Sequence, residues 1–369
     1  MMDVKKVLNS KLDRRRLLGN LGLMGAGAVM TACGGQVVGQ VGTRPQQEGG
    51  YDAAILNFAL NLEYLEAAYY LAVVGRLSEL PGYEEGKVLL PDGYTGTDPE
   101  ASLYPPFTPG FTPSTVTKVS TLVAEYAQEI AQDELAHVVF LRTALESVGA
   151  PVAELPVLNL SSSFVAAATA AASLTNNGLG FDPSAFNPFA NDTFFLHGAF
   201  IFEDVGVTAY KGAARFITNP DYLEAAAGIL AVEAYHAGTI RSFLYASDFR
   251  RENRYGGVDI WTIVRAISDA RDSLDGDTDL DQGIVGNATY DTVEPSAHEG
   301  PDGRGANIVP TDENGIAFSR TPLQVAQIVQ LNPDAANLEV SFFPEGLSVP
   351  EGLEDDFGVL LDPNFPNNL

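Results

Sequence analysis

The chain has 369 residues, enough for one large domain or two ordinary ones, and carries a formal net charge of −27 from 48 acidic and 21 basic residues. Such an acidic surface repels nucleic acid and anionic lipid, so it argues against both as partners. Charged residues make up only 19% of the sequence and the mean hydropathy is +0.03, which excludes a disordered polyanion.

Residues 1–33 have the pattern of an export signal. Arg14 and Arg15 stand in "DRRRLL", which resembles the twin-arginine signal whose receptor reads the paired arginines. The uncharged stretch that follows, residues 17–32, is shorter than the roughly 20 residues of a membrane span, as expected for a signal peptide. We therefore expect export to the periplasm or cell envelope.

The single cysteine, Cys33, ends the motif "MTAC", which resembles a lipoprotein cleavage box with Met30 in place of the usual leucine. This motif predicts a lipid on Cys33 as the protein's attachment to the membrane. The alternative is an ordinary cleaved signal in which the cysteine is incidental. Residues 34–50, rich in Gly and Gln, are typical of a flexible tether.

Four long apolar patterns follow within residues 51–250, and they predict an all-α four-helix bundle, because helices that are apolar nearly all round pack on several sides. A tight turn joins the third and fourth helices. About 40 residues separate the second from the third, enough for one long crossover. An insert at about 76–113 follows the first helix. The helices are predicted at about 52–74, 115–148, 193–217 and 220–246, with N-caps at Ser114, at Asn191 or Asp192, and at Asn219 before Pro220.

Residues 251–369 form a predicted C-terminal region that packs on the bundle as an irregular extension. It contains a fifth helix in "VDIWTIVRAISDARDSL" and a short helix in "TPLQVAQIVQ". The segment "DGDTDLDQG" alternates acids as a calcium loop does, but it lacks that loop's glycine and final glutamate, so a solvated turn is favoured.

The second and fourth helices share a pattern that makes the chain a duplicated helical hairpin. In "ELAHVVFLRTAL" and "EAYHAGTIRSFL" a Glu-x-x-His is followed five residues later by an arginine. The first and third helices share a glutamate followed seven residues later by a tyrosine. The matched residues are Glu134 with Glu233, His137 with His236, Arg142 with Arg241, Glu63 with Glu203, and Tyr70 with Tyr210.

Residues three apart on a helix share a face, so four helices offer Glu, Glu-x-x-His, Glu and Glu-x-x-His to one interior. That is the ligand set of a carboxylate-bridged di-iron or di-manganese bundle. No Lys or Arg occurs in residues 51–75 to neutralise the carboxylates of the first helix. Bound divalent metal ions would neutralise them instead. The predicted ligands of two Fe or Mn ions are Glu63, Glu134, His137, Glu203, Glu233 and His236, and no catalytic residue is assigned beyond them.

Several residues keep alternative interpretations. Glu66 shares a face with Glu63, but Gly206 stands at its repeat position, so Glu63 is favoured as ligand and Glu66 is an extra or alternative one. Tyr70 and Tyr210 are either hydrogen-bond partners of the ligands or ordinary core tyrosines. A single Glu-x-x-His is weak evidence by itself. Surface positions are expected for Arg142, Arg241, His197 and His298.

The segments "LNFALNLEYLEAAYYL", "DELAH", "FEDVGVTAYKGAA" and "ILAVEAYHAGTIRS" resemble the ferritin-like family that includes desiccation-related proteins, over residues 56–245. This resemblance implies a ferritin-like four-helix bundle with a dimetal centre at the same six ligands, but it does not imply one reaction. The insert and the C-terminal region fall outside the family's usual pattern, which argues against a storage cage.

Two functions from different classes fit these expectations. The first is an exported redox enzyme whose dimetal centre consumes a small oxidant, peroxide or oxygen, under oxidative or desiccation stress. The second is a non-catalytic metal-binding protein of the envelope, in which the ions only brace the bundle. The sequence leaves open iron against manganese, and whether the chain forms a homo-oligomer.

Overall fold

The computed structural model describes residues 50–103, 121–176, 178–249, 257–286, 305–332, 338 and 340–367. The predicted signal with Arg14, Arg15 and Cys33, the tether as far as residue 49, and the predicted positions of Ser114 and His298 lie outside the described residues. Within them, the secondary structure is almost entirely helical, which confirms the all-α prediction. The helices are α1 (Asp52–Val73), α2 (Thr121–Ser147), α3 (Ser162–Ser173), α4 (Asp192–Ala214), α5 (Pro220–Phe249), α6 (Ile260–Asp275), α7 (Pro322–Val329) and α8 (Glu354–Leu360).

The bundle consists of two helical hairpins, α1 with α2 and α4 with α5. The α1–α2 pair is antiparallel, because Arg76 just beyond α1 contacts Gln132 while Tyr64 contacts Arg142 further along α2. Five residues join α4 to α5. In α1, only Ala53 is not buried, so this helix lies at the centre of the molecule.

Local sequence explains where the bundle helices begin. The side chain of Asn191 accepts a hydrogen bond from the Phe194 amide at 2.9 Å, as the predicted N-cap of α4 should. The side chain of Asn219 accepts from the Asp221 amide at 2.9 Å, and Pro220 occupies the first position of α5.

The connections around the bundle contain short regular elements. The insert after α1 contains a 3-10 turn (Leu77–Glu79) and β1 (Val88–Leu89), and the crossover contains β2 (Leu158–Asn159), which pairs with β1 in parallel. The insert packs on α1, where Tyr94 Oη donates to the Ala72 carbonyl at 2.8 Å. The crossover also contains α3, a helix that the sequence analysis did not predict.

The C-terminal region contains the two predicted helices, observed as α6 and α7, together with the unpredicted α8. Strands β3 (Val285–Gly286) and β4 (Gly305–Ala306) form an antiparallel pair there. None of the helices in the described parts of the chain is long and apolar enough to cross a membrane.

A buried ionic network links the C-terminal region to α4 and α5. Two predictions from the sequence are wrong for residues of this network. Arg241 was expected at the surface, but its side chain is fully buried and lies 2.7 Å from Asp204. Asp275 and Asp281 of "DGDTDLDQG" are buried rather than solvated, because each forms an ion pair with Arg320. The network is completed by Arg271, which forms ion pairs with Asp204 and Asp281.

Candidate metal centre

Helices α1, α2, α4 and α5 bring all six predicted ligands to one place inside the bundle. Each histidine lies one turn after a glutamate of its own helix, as the spacing in the sequence predicts. The histidines of the two hairpins both lie close to Glu134. All six side chains are buried, with exposed fractions of 0% for Glu63, Glu134 and Glu233, 1% for Glu203, 6% for His236 and 8% for His137.

The first group of ligand atoms surrounds His137. Its Nδ1 lies 3.1 Å from Glu63 Oε2, 3.4 Å from Glu134 Oε2 and 3.8 Å from Glu233 Oε1. One ligand atom from each of these four residues lies within 4.8 Å of the others, a grouping that can hold one metal ion.

The second group surrounds His236. Its Nδ1 lies 3.0 Å from Glu134 Oε1 and 3.5 Å from Glu203 Oε2, and these three residues form a second grouping within 4.8 Å. Glu134 therefore turns one oxygen toward each histidine. A carboxylate placed in this way has the position of a bridge between two ions.

The hydrogen bonding of these atoms fits a metal centre. Among the described residues, both oxygens of Glu134 and of Glu233, Oε2 of Glu203 and Nδ1 of His236 have no hydrogen-bond partner. Glu134 Oε1 and His236 Nδ1 converge to 3.0 Å without the geometry of a hydrogen bond. Buried carboxylates left in this state are costly unless a cation or proton neutralises them. Carboxylate oxygens with two imidazoles suit iron or manganese.

Electrostatics within the cluster divides the carboxylates into two kinds. Burial raises the pKa of Glu63 to about 7, and it also raises the pKa values of Glu203 and Glu233. Burial acts on Glu134 as well, but the nearby imidazoles of His137 and His236 outweigh that effect and lower its pKa. Glu134, which lies between the two histidines, differs in this from the other three glutamates.

Two tyrosines form hydrogen bonds with Glu203 and Glu63, which favours the first of the two interpretations that the sequence left open. Tyr70 Oη donates to Glu203 Oε1, and Tyr210 Oη donates to Glu63 Oε1. Each tyrosine reaches the glutamate of the opposite hairpin. The second oxygen, Oε2, is left to face the histidine, so Tyr70 and Tyr210 orient the ligands rather than merely filling the core.

The matched arginines also occupy equivalent places. Arg142 Nη1 donates to Tyr64 Oη, and Arg241 Nη1 donates to Asp204 Oδ2, where Tyr64 and Asp204 directly follow the matched glutamates in sequence. Arg142 is partly exposed, with 21% of its side chain accessible, whereas Arg241 is enclosed. Each arginine thus links the second helix of its hairpin to the first by a side-chain hydrogen bond.

Asp133 contacts the proposed ligand His236, and the sequence analysis did not assign it a role. Its Oδ2 lies 3.3 Å from Nε2 of His236, the ring nitrogen that faces away from the ligand cluster. A carboxylate in this position orients the ring and raises its basicity as a ligand. The repeat gives no such partner to His137, because Val232 stands at the matching position. The available signal was that Asp133 directly precedes Glu134.

His197 lies outside the site, and its predicted surface position is wrong. The side chain is fully buried in an apolar cavity whose lining includes Ala171 of α3 and Ile267 of α6. Burial lowers its pKa to about 3. The helix face opposite the ligands is covered because α3 and α6 pack there.

Residues 51–246, from the start of α1 to near the end of α5, match the family model for a ferritin-like domain, and this span is more than half of the chain. The chain belongs to the ferritin-like domain family. The matched span contains the positions of all six predicted ligands, and the match confirms the resemblance to the ferritin-like family.

A curated relative of this ferritin-like protein is the desiccation-related protein PCC13-62 of Craterostigma plantagineum. The two are 27% identical over 273 residues, which cover 73% of this chain and 75% of the relative. No solved structure matches the chain.

Proposed function

We propose that this ferritin-like protein binds two iron or manganese ions at Glu63, Glu134, His137, Glu203, Glu233 and His236, and uses them to consume peroxide or oxygen. The observation that carries the proposal is Glu134, a buried carboxylate that is shared by two ligand groups. When bound, the two ions would supply redox chemistry, each changing its oxidation state by one electron: one peroxide would be reduced to water, and a second, oxidised to oxygen, would be the reductant that restores the ions.

The residues around the proposed centre limit the size of the substrate and hold the ligands in place. The ligands are nearly inaccessible to solvent, so a substrate must be as small as peroxide or oxygen. Tyr70 and Tyr210 orient the carboxylates of Glu203 and Glu63 through hydrogen bonds. Asp133 orients the ring of His236. A dry, rigid ligand set of this kind keeps its geometry while the charge of the ions changes.

The direct test is oxidant consumption by the loaded protein. Metal-free protein is loaded with Fe²⁺ or Mn²⁺ without oxygen, and the disappearance of added peroxide or oxygen is then followed. We expect consumption by the wild type and its loss in Glu134→Gln, which keeps the shape of the bridge and removes its charge. Loaded wild-type protein that consumes neither oxidant would overturn the catalytic role.

The burial of the cluster also favours a second candidate, a metal centre that only braces the bundle. All four helices contribute ligands, so bound ions would hold the two hairpins together. This function predicts a large rise in melting temperature on loading and no oxidant consumption. The same loaded sample, measured in both ways, separates the two functions.

We further propose that the activity serves the cell envelope during drying or oxidative stress. The name of the desiccation-related relative supports the stress role, and the twin-arginine and lipobox patterns support export with a lipid on Cys33. Cells that lack this protein should survive drying less well, and wild-type protein but not Glu134→Gln should restore survival. Equal restoration by both would remove the link between the centre and stress.

A further inference from the structure

Three aspartates meet where α6 ends and the segment "DGDTDLDQG" begins. Asp272 and Asp275 stand three residues apart on α6 and share a face of the helix. The connection after α6 brings Asp281 to them, so that one carboxylate oxygen from each residue lies within 4.8 Å of the others. This group is not the alternating set of acids in the segment, because Asp272 comes from the helix before it.

Arginines hold two of these carboxylates in place. Arg320 Nε donates to Asp275 Oδ2 at 2.6 Å, and Arg320 Nη2 donates to Asp281 Oδ2. Arg271 Nη2 contacts Asp281 Oδ1. A carboxylate offers about four lone pairs, so an oxygen that accepts from an arginine can still bind an ion. Arg320 therefore fixes the spacing of Asp275 and Asp281 and leaves both able to act as ligands.

The other oxygen of Asp275 is without a partner. The Asp275 side chain is 0% exposed, and in the described part of the chain nothing donates a hydrogen bond to its Oδ1. A buried carboxylate oxygen in this state is costly, and a cation beside it would remove the cost. The group thus contains an oxygen that its protein neighbours do not satisfy.

The charges of this region leave one carboxylate unbalanced. The three arginines of the buried ionic network are matched by Asp204, Asp275 and Asp281. Among the described residues, Asp272 has no ion pair, and its Oδ1 accepts from the Leu280 amide at 3.0 Å. Asp272 and Asp281 also line an open polar pocket of about 510 Å³, from which solvent can reach the group.

We propose that Asp272, Asp275 and Asp281 bind a Ca²⁺ ion and that water entering through the pocket completes its coordination. Ca²⁺ takes about six to eight oxygen ligands at about 2.3–2.6 Å, so two of its ligands lie at most about 5 Å apart, as the 4.8 Å limit of the group requires. Mg²⁺ demands shorter bonds and a regular octahedron, to which carboxylates held by arginines cannot adjust.

The bound Ca²⁺ would have a structural role. It would join the end of α6 to the connection that follows, and so strengthen the attachment of the C-terminal region to the bundle. Because arginines share two of the three carboxylates, the affinity should be modest, with a Kd of about 10⁻⁴–10⁻³ M. The site is separate from the cluster inside the bundle and does not depend on the function proposed for that cluster.

The single tryptophan, Trp261, provides a local readout because it lines the same pocket. Tb³⁺ binds at oxygen sites that take Ca²⁺, and it emits when a nearby tryptophan is excited at a wavelength that tyrosine does not absorb. Wild-type protein with a manganese-loaded bundle, titrated with Tb³⁺, should show saturable emission that excess Ca²⁺ abolishes. Absence of this emission, or emission that Ca²⁺ leaves unchanged, would overturn the inference.

A pair of variants with the same change in charge assigns the ligands. Asp272→Asn keeps an oxygen that can accept from the Leu280 amide, and it should bind Tb³⁺ and Ca²⁺ at least tenfold more weakly than the wild type. The control is Asp277→Asn, an exposed acid of the same segment outside the group, which should bind both ions normally. Wild-type binding by Asp272→Asn would contradict the assignment. Equal losses in both variants would show only general attraction of cations to an acidic surface, and would also contradict it.

Thermal stability gives a second measurement. Ca²⁺ should raise the melting temperature of the wild type and of Asp277→Asn but not that of Asp272→Asn, and Mg²⁺ at the same concentration should raise it less. An equal rise with Mg²⁺ would overturn the choice of Ca²⁺. Glu134→Gln, altered inside the bundle, should keep the tryptophan-sensitised emission of the wild type. Loss of emission in Glu134→Gln would place the Tb³⁺ in the bundle and overturn the site at Asp272.

Discussion

At the scale of single residues, the contact with Asp133 distinguishes His236 from His137. The repeat places Val232 at the position that matches Asp133, so the likeness of the two hairpins does not extend to the residue that contacts His236 from behind. We expect Asp133→Asn to weaken metal binding about 10–100-fold, the usual effect of losing such a partner. Calorimetric titration with Mn²⁺ measures this. Glu129→Gln, exposed one turn earlier on α2, is the control and should bind metal normally; equal binding by both variants would remove the role of Asp133.

The buried ring of His197 should make the stability of the folded protein depend on pH. Its folded-state pKa of about 3 lies below its ordinary value of 6.5, so the unfolded chain takes up a proton that the folded chain excludes. The folded state therefore loses stability as pH falls from 6.5 toward 3. We expect His197→Leu to be more stable than the wild type at pH 4.5 by about 2–3 kcal/mol, relative to their difference at pH 7.

Urea unfolding of both proteins at the two pH values tests this prediction. Metal content should not change in His197→Leu, because the residue is not a ligand. Identical pH dependence in the two proteins would show that the ring is not buried in its neutral form.

The clustering of the six Glu and His residues could be predicted from the sequence, whereas the contacts behind them could be suggested only for the tyrosines. Glu134 and His137 stand at a spacing that fixes a common helix face, and the second hairpin repeats it. The contacts of Asp133 and Tyr70 depend on how α2 and α4 pack against neighbouring helices, which spacing along one helix does not determine. Burial of His197 was missed for the same reason.

At the scale of elements, the bundle helices could be predicted because long apolar patterns and N-cap residues mark them. Asn191 and Pro220 gave the starts of α4 and α5 correctly. Helix α3 was missed because its alanine-rich sequence lies within a connection and shows no alternation of polar and apolar faces. Helix α8 has only seven residues, too short for a periodic pattern.

The ionic network between α6 and the segment before α7 should contribute strongly to stability. Arg320 is fully buried and is paired with Asp275 and Asp281, so Arg320→Met leaves two buried carboxylates without that partner. We expect a loss of about 3–5 kcal/mol in the free energy of unfolding, measured in urea. The control is Arg265→Met, whose partner Asp269 has 45% of its side chain exposed, and it should lose less than about 1 kcal/mol. Similar losses in both variants would contradict the importance of burial here.

At the scale of the whole molecule, the export pattern predicts where the protein resides. Replacement of both Arg14 and Arg15 by lysine should keep the protein inside the cell, because the export receptor reads the arginine pair. Fractionation and immunoblotting measure its location. A variant that reaches the envelope as the wild type does would overturn the twin-arginine interpretation.

The lipobox makes a separate prediction. Cys33→Ala should release the mature protein from membrane fractions, because a lipid on this cysteine is the proposed attachment. Release is measured in the same fractions, with the wild type as reference. Unchanged association of Cys33→Ala with membranes would remove the lipoprotein proposal and leave export intact.

The buried cluster of glutamates and histidines joins all four helices of the bundle, and the central proposal is that this cluster is a metal site. Elemental analysis of wild-type protein, purified after loading with Fe²⁺ or Mn²⁺ and exhaustive removal of free metal, tests it most directly. We predict about two ions per chain in the wild type and fewer in His137→Ala and in His236→Ala. Metal-free wild-type protein, or variants that retain the same content as the wild type, would contradict it.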